Sequence, residues 1–371
     1  MTEVEELALL LRPAGGGVHL VSAGRDAQSA AQRRLHGATT DEEVRARFLE
    51  RLSRIGTARA VLLGVPSDVG AGFLRGANQG PLALRDRLLD EDPAWLEGAE
   101  ARGLVDLGDV FVVPQLLHDD MLSAAQLAAS RRALYPGVAP EVAARLPVSP
   151  LSIAERALDL VFSLNPRAAP VLLGGDHSTA WPAVAALHRA RPGFGVVQVD
   201  AHTDLLEERL GVKYCFGTWS FHANELLGRG GRLVQVGIRT SRHGRSHWES
   251  TLGVRQIWAD EARADPAAAI DAVVAAVRGS GARGVYFSND VDGTDEAWVD
   301  ATGTPERGGL EPDFVVELIR RLGREVGLAG GDVMEVAPAI ARTPGGAERT
   351  LGVAARYLRE TVDAVLPPPR R

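Results

Sequence analysis

From Ala60 onward short apolar runs alternate with helical patterns, and this alternation restricts the fold more than any other feature of the chain. Strands are expected at residues 60–65, 103–107, 170–173, 196–199, 233–236, 253–258, 284–288 and 332–336. Helices are expected at 152–164, 180–190, 266–278, 312–323 and 347–365. Such alternation implies right-handed crossovers and a mostly parallel sheet. A short apolar run such as Val196 to Val199 suits a strand buried on both faces. The expected fold is therefore α/β: a single-domain, doubly wound, mostly parallel eight-stranded sheet with helices on both faces. At 371 residues and 45% hydrophobic, the chain can bury a core of that size.

Residues 57–366 read as the main domain, 1–56 as an N-terminal extension with a helix and 367–371 as a tail containing Pro367, Pro368 and Pro369. In the extension, Gly15 to Gly17 and the polar run from Arg25 to Arg34 suggest a loop. Thr40 and Glu43 then form a capping box that opens an amphipathic helix, with Val44, Phe48, Leu49 and Leu52 on one face. Residues 115–150 are longer than a simple crossover needs, and the prolines of 136–150 suggest a surface excursion.

The net charge of −7 argues against nucleic acid and anionic membrane as partners. Cys215 is the only cysteine, which excludes an intramolecular disulfide and Cys-rich zinc sites. No apolar run is long enough to span a bilayer. The first ten residues carry Glu3, Glu5 and Glu6 and no basic region, so no signal peptide and a cytoplasmic location are expected.

Ligands of such sheets bind beyond the carboxyl ends of the strands, and four polar clusters fall there. They are Gly174-Gly175-Asp176-His177-Ser178, then Asp200-Ala201-His202-Thr203-Asp204, then Ser288-Asn289-Asp290-Val291-Asp292, and finally Glu335 in the apolar run 332–336. Asp200, His202 and Asp204 alternate, so an extended chain points them the same way; Asp290 and Asp292 do likewise. Glu335 calls for a nearby cation, because an unpaired buried carboxylate is disfavoured; the alternative is an exposed edge strand. Taken singly, each cluster also suits a solvated loop. Together, two histidines and four aspartates without thiolate suit two hard or borderline divalent ions with shared carboxylates. Manganese comes first for that donor set, while nickel, cobalt or iron also fit. Two such ions can hold one water and lower its pKa.

In this order the clusters resemble the ureohydrolase superfamily of arginase, agmatinase, guanidinobutyrase, formimidoylglutamase and guanidine hydrolases. The similarity spans about residues 58–366 and includes Val65-Pro66-Ser67-Asp68, Gly80-Pro81, Arg85, Gly237-Ile238-Arg239, Asp295, Gly303-Thr304-Pro305-Glu306 and Gly308-Gly309-Leu310. It implies an arginase-like fold. It also implies one metal among His177, Asp200, Asp204 and Asp290 and a second among Asp200, His202, Asp290 and Asp292, with Asp200 and Asp290 bridging. Asp204 would carry a proton to the leaving amine, Glu335 would pair with the substrate guanidinium, and the products would be urea and an amine or ammonia. Homotrimers or homohexamers are implied as well.

Two positions depart from the family pattern. Phe216 stands where a histidine is expected, with His222 as a displaced substitute or a surface residue, and Asp295 is followed by Glu296 rather than proline. Tyr214, Phe216, Trp219 and Phe221 lie close together, as an aromatic wall facing a small cation or as core packing. Phe216, Trp219 and His222 join Glu335 as candidate substrate contacts. The expected activity is cleavage of a guanidino C–N bond in a small compound: guanidine, a guanidino acid or an agmatine-like amine. The alternatives are a formimidoylglutamase-type amidine hydrolase, a metal phosphoesterase, which Glu335 disfavours by repelling phosphate, and a non-catalytic relative.

Overall fold

Nine strands form one sheet in a computed structural model that describes residues 1–21 and 23–366. They are β1 (Leu11–Arg12), β2 (Ala60–Gly64), β3 (Leu104–Val110), β4 (Ala169–Leu173), β5 (Gly195–Val199), β6 (Leu233–Ile238), β7 (Arg255–Trp258), β8 (Val285–Asn289) and β9 (Leu328–Val333). Their order is β1-β3-β2-β4-β9-β8-β5-β6-β7. Every pairing is parallel except that of β1 with β3, where Leu11 lies opposite Val110.

Helices pack on both faces because alternate strand residues feed two separate cores. Val61, Leu63 and Val196 join the helices Pro150–Leu164 and Trp181–Ala190 on one side. Leu62, Val197 and Val199 join Pro266–Gly279, Pro312–Glu325 and Gly346–Val365 on the other. These five helices start or end within two residues of the expected limits, since their apolar stripes are strong.

The structure corrects four expectations. The sheet has nine strands rather than eight, because the two-residue β1 joins the edge; so short a run carries no readable pattern. The polar run after Gly24 is a helix, Arg25–His36, whose Arg34 pairs with Asp86 and Asp90 on the helix Gly80–Glu91. The helix capped by Thr40 and Glu43 spans Asp41–Ser53 and buries Val44, Phe48 and Leu52, whereas Leu49 faces outward. The last strand ends at Val333 and lies mid-sheet, so Glu335 is past a buried strand and not within an edge one. Gly330 and Gly331 hid the strand from a propensity reading. Added Cβ atoms there would meet Pro170 O at 2.6 Å and Phe287 O at 2.8 Å, so the neighbouring strands leave no room for a side chain. The proline tail at 367–371 lies outside the described residues.

Candidate metal centre and substrate cavity

The strands β4, β9, β8 and β5 are adjacent in the sheet, and their carboxyl ends deliver all four polar clusters to one place. His177 opens a short 3-10 turn after β4, capped by Asp176, whose Oδ1 accepts from Ser178 N at 2.9 Å. Asp200 and Asp290 directly follow β5 and β8. Asp204 and Glu335 have left-handed backbone, φ 50° and 62°, a conformation that carboxylate residues hold only under constraint.

His177 Nδ1 lies 3.2 Å from Asp200 Oδ2, 3.4 Å from Asp204 Oδ2 and 3.1 Å from Asp290 Oδ2. His202 Nδ1 lies 3.5 Å from Asp200 Oδ1 and 3.1 Å from Asp292 Oδ2. Two groups of donor atoms result, and Asp200 serves both, one oxygen to each. Asp290 Oδ2 faces the His177 group, and its Oδ1 caps the turn at Val291–Gly293 by accepting from Asp292 N at 2.9 Å.

The donor set fits divalent cations on three counts. The buried His177 Nδ1 has no hydrogen-bond partner among the described residues. Its other nitrogen, Nε2, is 3.0 Å from Ser288 Oγ, which donates to Asp332 at 3.0 Å. That chain puts the proton on Nε2 and leaves the Nδ1 lone pair facing the carboxylates, a common arrangement behind metal-ligating histidines. The atoms on offer are carboxylate oxygens and imidazole nitrogens, which suit manganese and similar ions.

The electrostatics show the same need. Asp204 is pushed up to about 7, by burial first and then by Asp200. Asp290 is raised by burial, Asp292 and Asp200. Burial opposes protonation of His177, yet Asp200, Asp204 and Asp290 outweigh it and raise its pKa. Glu335 is raised by burial, then by Asp290 and Asp176. Its Oε1 accepts from His177 N at 3.0 Å, and no Lys, Arg or His pairs with it among the described residues. Positive charge is in deficit on both sides of this cluster.

Several residues hold the donors without joining them. Trp219 is fully buried, donates from Nε1 to Asp204 Oδ2 at 3.1 Å and packs on the His177 ring, centroids 4.5 Å apart. Thr304 Oγ1 donates to Asp292 Oδ2 at 3.0 Å. Arg239 gathers the carbonyls of Asp292, Thr294, Glu306 and Arg307, which fixes the loop after β8 against residues 306–307. Gln198, Gln235 and Gln256 form a buried amide ladder across β5, β6 and β7 that ends on Asp200. The reading of the chain missed this ladder and the Ser288–Asp332 support. A polar residue at a shared register of three apolar strands was the available signal.

The aromatic cluster separates. Tyr214 is buried and stacks on Trp181, and Trp219 is in the core behind Asp204. Of the three candidate contacts Phe216, Trp219 and His222, Phe216 lines a cavity of about 440 Å³ bounded also by His202, Asp204, Arg209 and Arg242, and the other two are not among its described lining residues. His222 is held away from that cavity: its Nε2 sits 3.0 Å from the carbonyls of Glu207 and Lys213, bracing their loop.

The arginase family model matches residues 58–363. Guanidinobutyrase of Pseudomonas aeruginosa is 29% identical over 75% of this chain and 79% of its own. An N(1)-aminopropylagmatine ureohydrolase of Thermus thermophilus is 31% identical over 76% of this chain and 83% of its own. Among solved structures, proclavaminate amidino hydrolase from Streptomyces clavuligerus superposes with a TM-score of 0.62 at 28% identity, covering 82% of this chain and 92% of that one. The chain belongs to the arginase family of metal-dependent hydrolases that act on guanidino C–N bonds.

Proposed function

We propose that the chain hydrolyses a small guanidino compound to urea and an amine, or to urea and ammonia from guanidine itself, with a pair of divalent ions. Manganese is the first choice and nickel the second. The observation that carries this reading is the shared position of Asp200 between two donor groups, beside the unpaired carboxylate of Glu335. His177, Asp200, Asp204 and Asp290 would hold one ion, and Asp200, His202, Asp290 and Asp292 the other.

Bound there, two divalent ions would supply Lewis acidity and lower the pKa of water at the site. Glu335 draws in the guanidinium, which offsets the cost of its own burial. Water adds to the guanidinium carbon, the C–N bond to the leaving amine breaks, and the amine takes up a proton. Asp204 carries that proton through Oδ1, the oxygen that Trp219 leaves free, while Trp219 fixes the carboxylate plane.

A urea-release screen on guanidine, guanidinoacetate, guanidinopropionate, guanidinobutyrate, agmatine and arginine tests this, after loading with manganese and separately with nickel. Urea from at least one compound is expected, and none from any would refute the proposal. The family resemblance also leads us to propose a cytoplasmic homotrimer or homohexamer, which sedimentation of the purified protein checks. Among the described residues no helix is long and apolar enough to cross a membrane.

A further inference from the structure

We infer that the cavity beside the carboxylate cluster accepts a substrate whose far end is a carboxylate, so that guanidino acids are preferred over guanidino amines. This rests on the guanidino-hydrolase reading above. The cavity, about 440 Å³, carries both signs of charge in its lining. Asp204 brings the acidic cluster to it, and the same lining includes Arg209, from the loop after Asp204, and Arg242, from the turn after β6. Among the described residues no carboxylate other than Asp204 lines the space. Glu207 and Glu208 precede Arg209 in sequence but are not among the lining residues.

Arginines on this protein's surface are commonly paired: Arg156 with Glu6, Arg189 with Glu155 and Asp159, Arg229 with Glu225. Arg209 and Arg242 are exposed, and neither is within 4 Å of an acid among the described residues. Arg209 instead lies over the Phe216 ring, 5.2 Å from its centroid, which holds the guanidinium against the cavity wall. Phe216, the residue at the position where the family histidine is expected, thereby acts as the seat of a cation.

A guanidinium presents a planar fork that matches a carboxylate with two parallel hydrogen bonds. An ammonium tail in the same place would meet two like charges with no acid to offset them. A substrate with guanidinium at one end and carboxylate at the other offers a partner to both kinds of charge in the lining. Agmatine, cationic at both ends, does not.

The test compares kcat/KM for 4-guanidinobutyrate and agmatine on the manganese-loaded enzyme, in the native protein and in the doubly substituted Arg209→Met, Arg242→Met form. Both side chains are exposed, so the variant should fold, and its melting temperature is recorded as the check. The native enzyme is expected to favour the acid by at least about tenfold, as one charge-assisted pair accounts for. In the variant that ratio should collapse, through a higher KM for the acid and a lower one for agmatine. Arg209→Lys should keep part of the preference. Equal or better use of agmatine by the native enzyme, or a variant that loses both substrates in proportion, would overturn the inference and leave the guanidino reading intact. Absence of urea from every guanidino compound would instead overturn that reading, and the inference with it.

Discussion

Gln198 Nε2 donates to Asp200 Oδ2 at 2.7 Å, the oxygen that also lies 3.2 Å from His177 Nδ1, so a buried amide holds the carboxylate shared by both donor groups. The bond is the last in a directed series. Trp258 Nε1 donates to Gln256 Oε1 at 3.0 Å, Gln256 to Gln235 at 2.8 Å and Gln235 to Gln198 at 2.8 Å. Strand register makes this possible, because Gln198 is paired with Gln235 and Gln235 with Gln256. Aligned amides polarise one another in a dry interior, which strengthens the final donation.

Gln235→Leu breaks that series and leaves the buried Gln256 amide without its acceptor, at a cost of about 1–3 kcal/mol. A lower melting temperature and weaker manganese binding, measured by calorimetric titration, are expected. Native values for both would show that the ladder does not position Asp200.

Trp219→Phe keeps a ring beside His177 and removes only the donor to Asp204. The loss of a hydrogen bond to a charged group is worth about 1.5–3 kcal/mol, so kcat should fall by about ten- to a hundredfold. KM should change far less, since Trp219 does not line the cavity. Steady-state kinetics separates the two, and a rise in KM alone would contradict a positioning role.

Much of this arrangement was legible in the sequence, and the boundary is physical. Short motifs such as Asp200-Ala201-His202-Thr203-Asp204 show chemistry because charge is costly at strand ends without a partner. Where a motif residue points is set by packing from distant elements. Trp219 turns into the core because the buried Asp204 needs a donor, and His222 turns to the carbonyls of Glu207 and Lys213. Leu49 faces outward although its neighbours on the same helix are buried. The two glycines of β9 look like a loop in isolation and are required only once Pro170 and Phe287 flank them.

The N-terminal helix Asp41–Ser53 is docked through Phe48, which is fully buried. Phe48→Ala should cost about 3–5 kcal/mol of stability, read as a lower midpoint in urea unfolding. An unchanged midpoint would mean that this helix unfolds independently of the sheet.

His36, at the end of the helix Arg25–His36, is pushed down to about 4 from 6.5, by burial first and then by Arg51. The folded protein thus favours neutral imidazole, while the unfolded chain takes up a proton below 6.5. Its contribution to stability is complete above that value and is lost as pH falls toward 4. Melting temperatures between pH 7 and 4 should fall less steeply in His36→Gln than in the native protein; parallel slopes would rule out this residue as a source of acid sensitivity.

The most direct test of the central claim is a titration of chelator-stripped protein with manganese while urea release from 4-guanidinobutyrate is followed. Two donor groups joined by Asp200 lead to activity that stays low at one equivalent per chain and saturates at two. Saturation at one equivalent, or urea release undiminished by stripping, would contradict it.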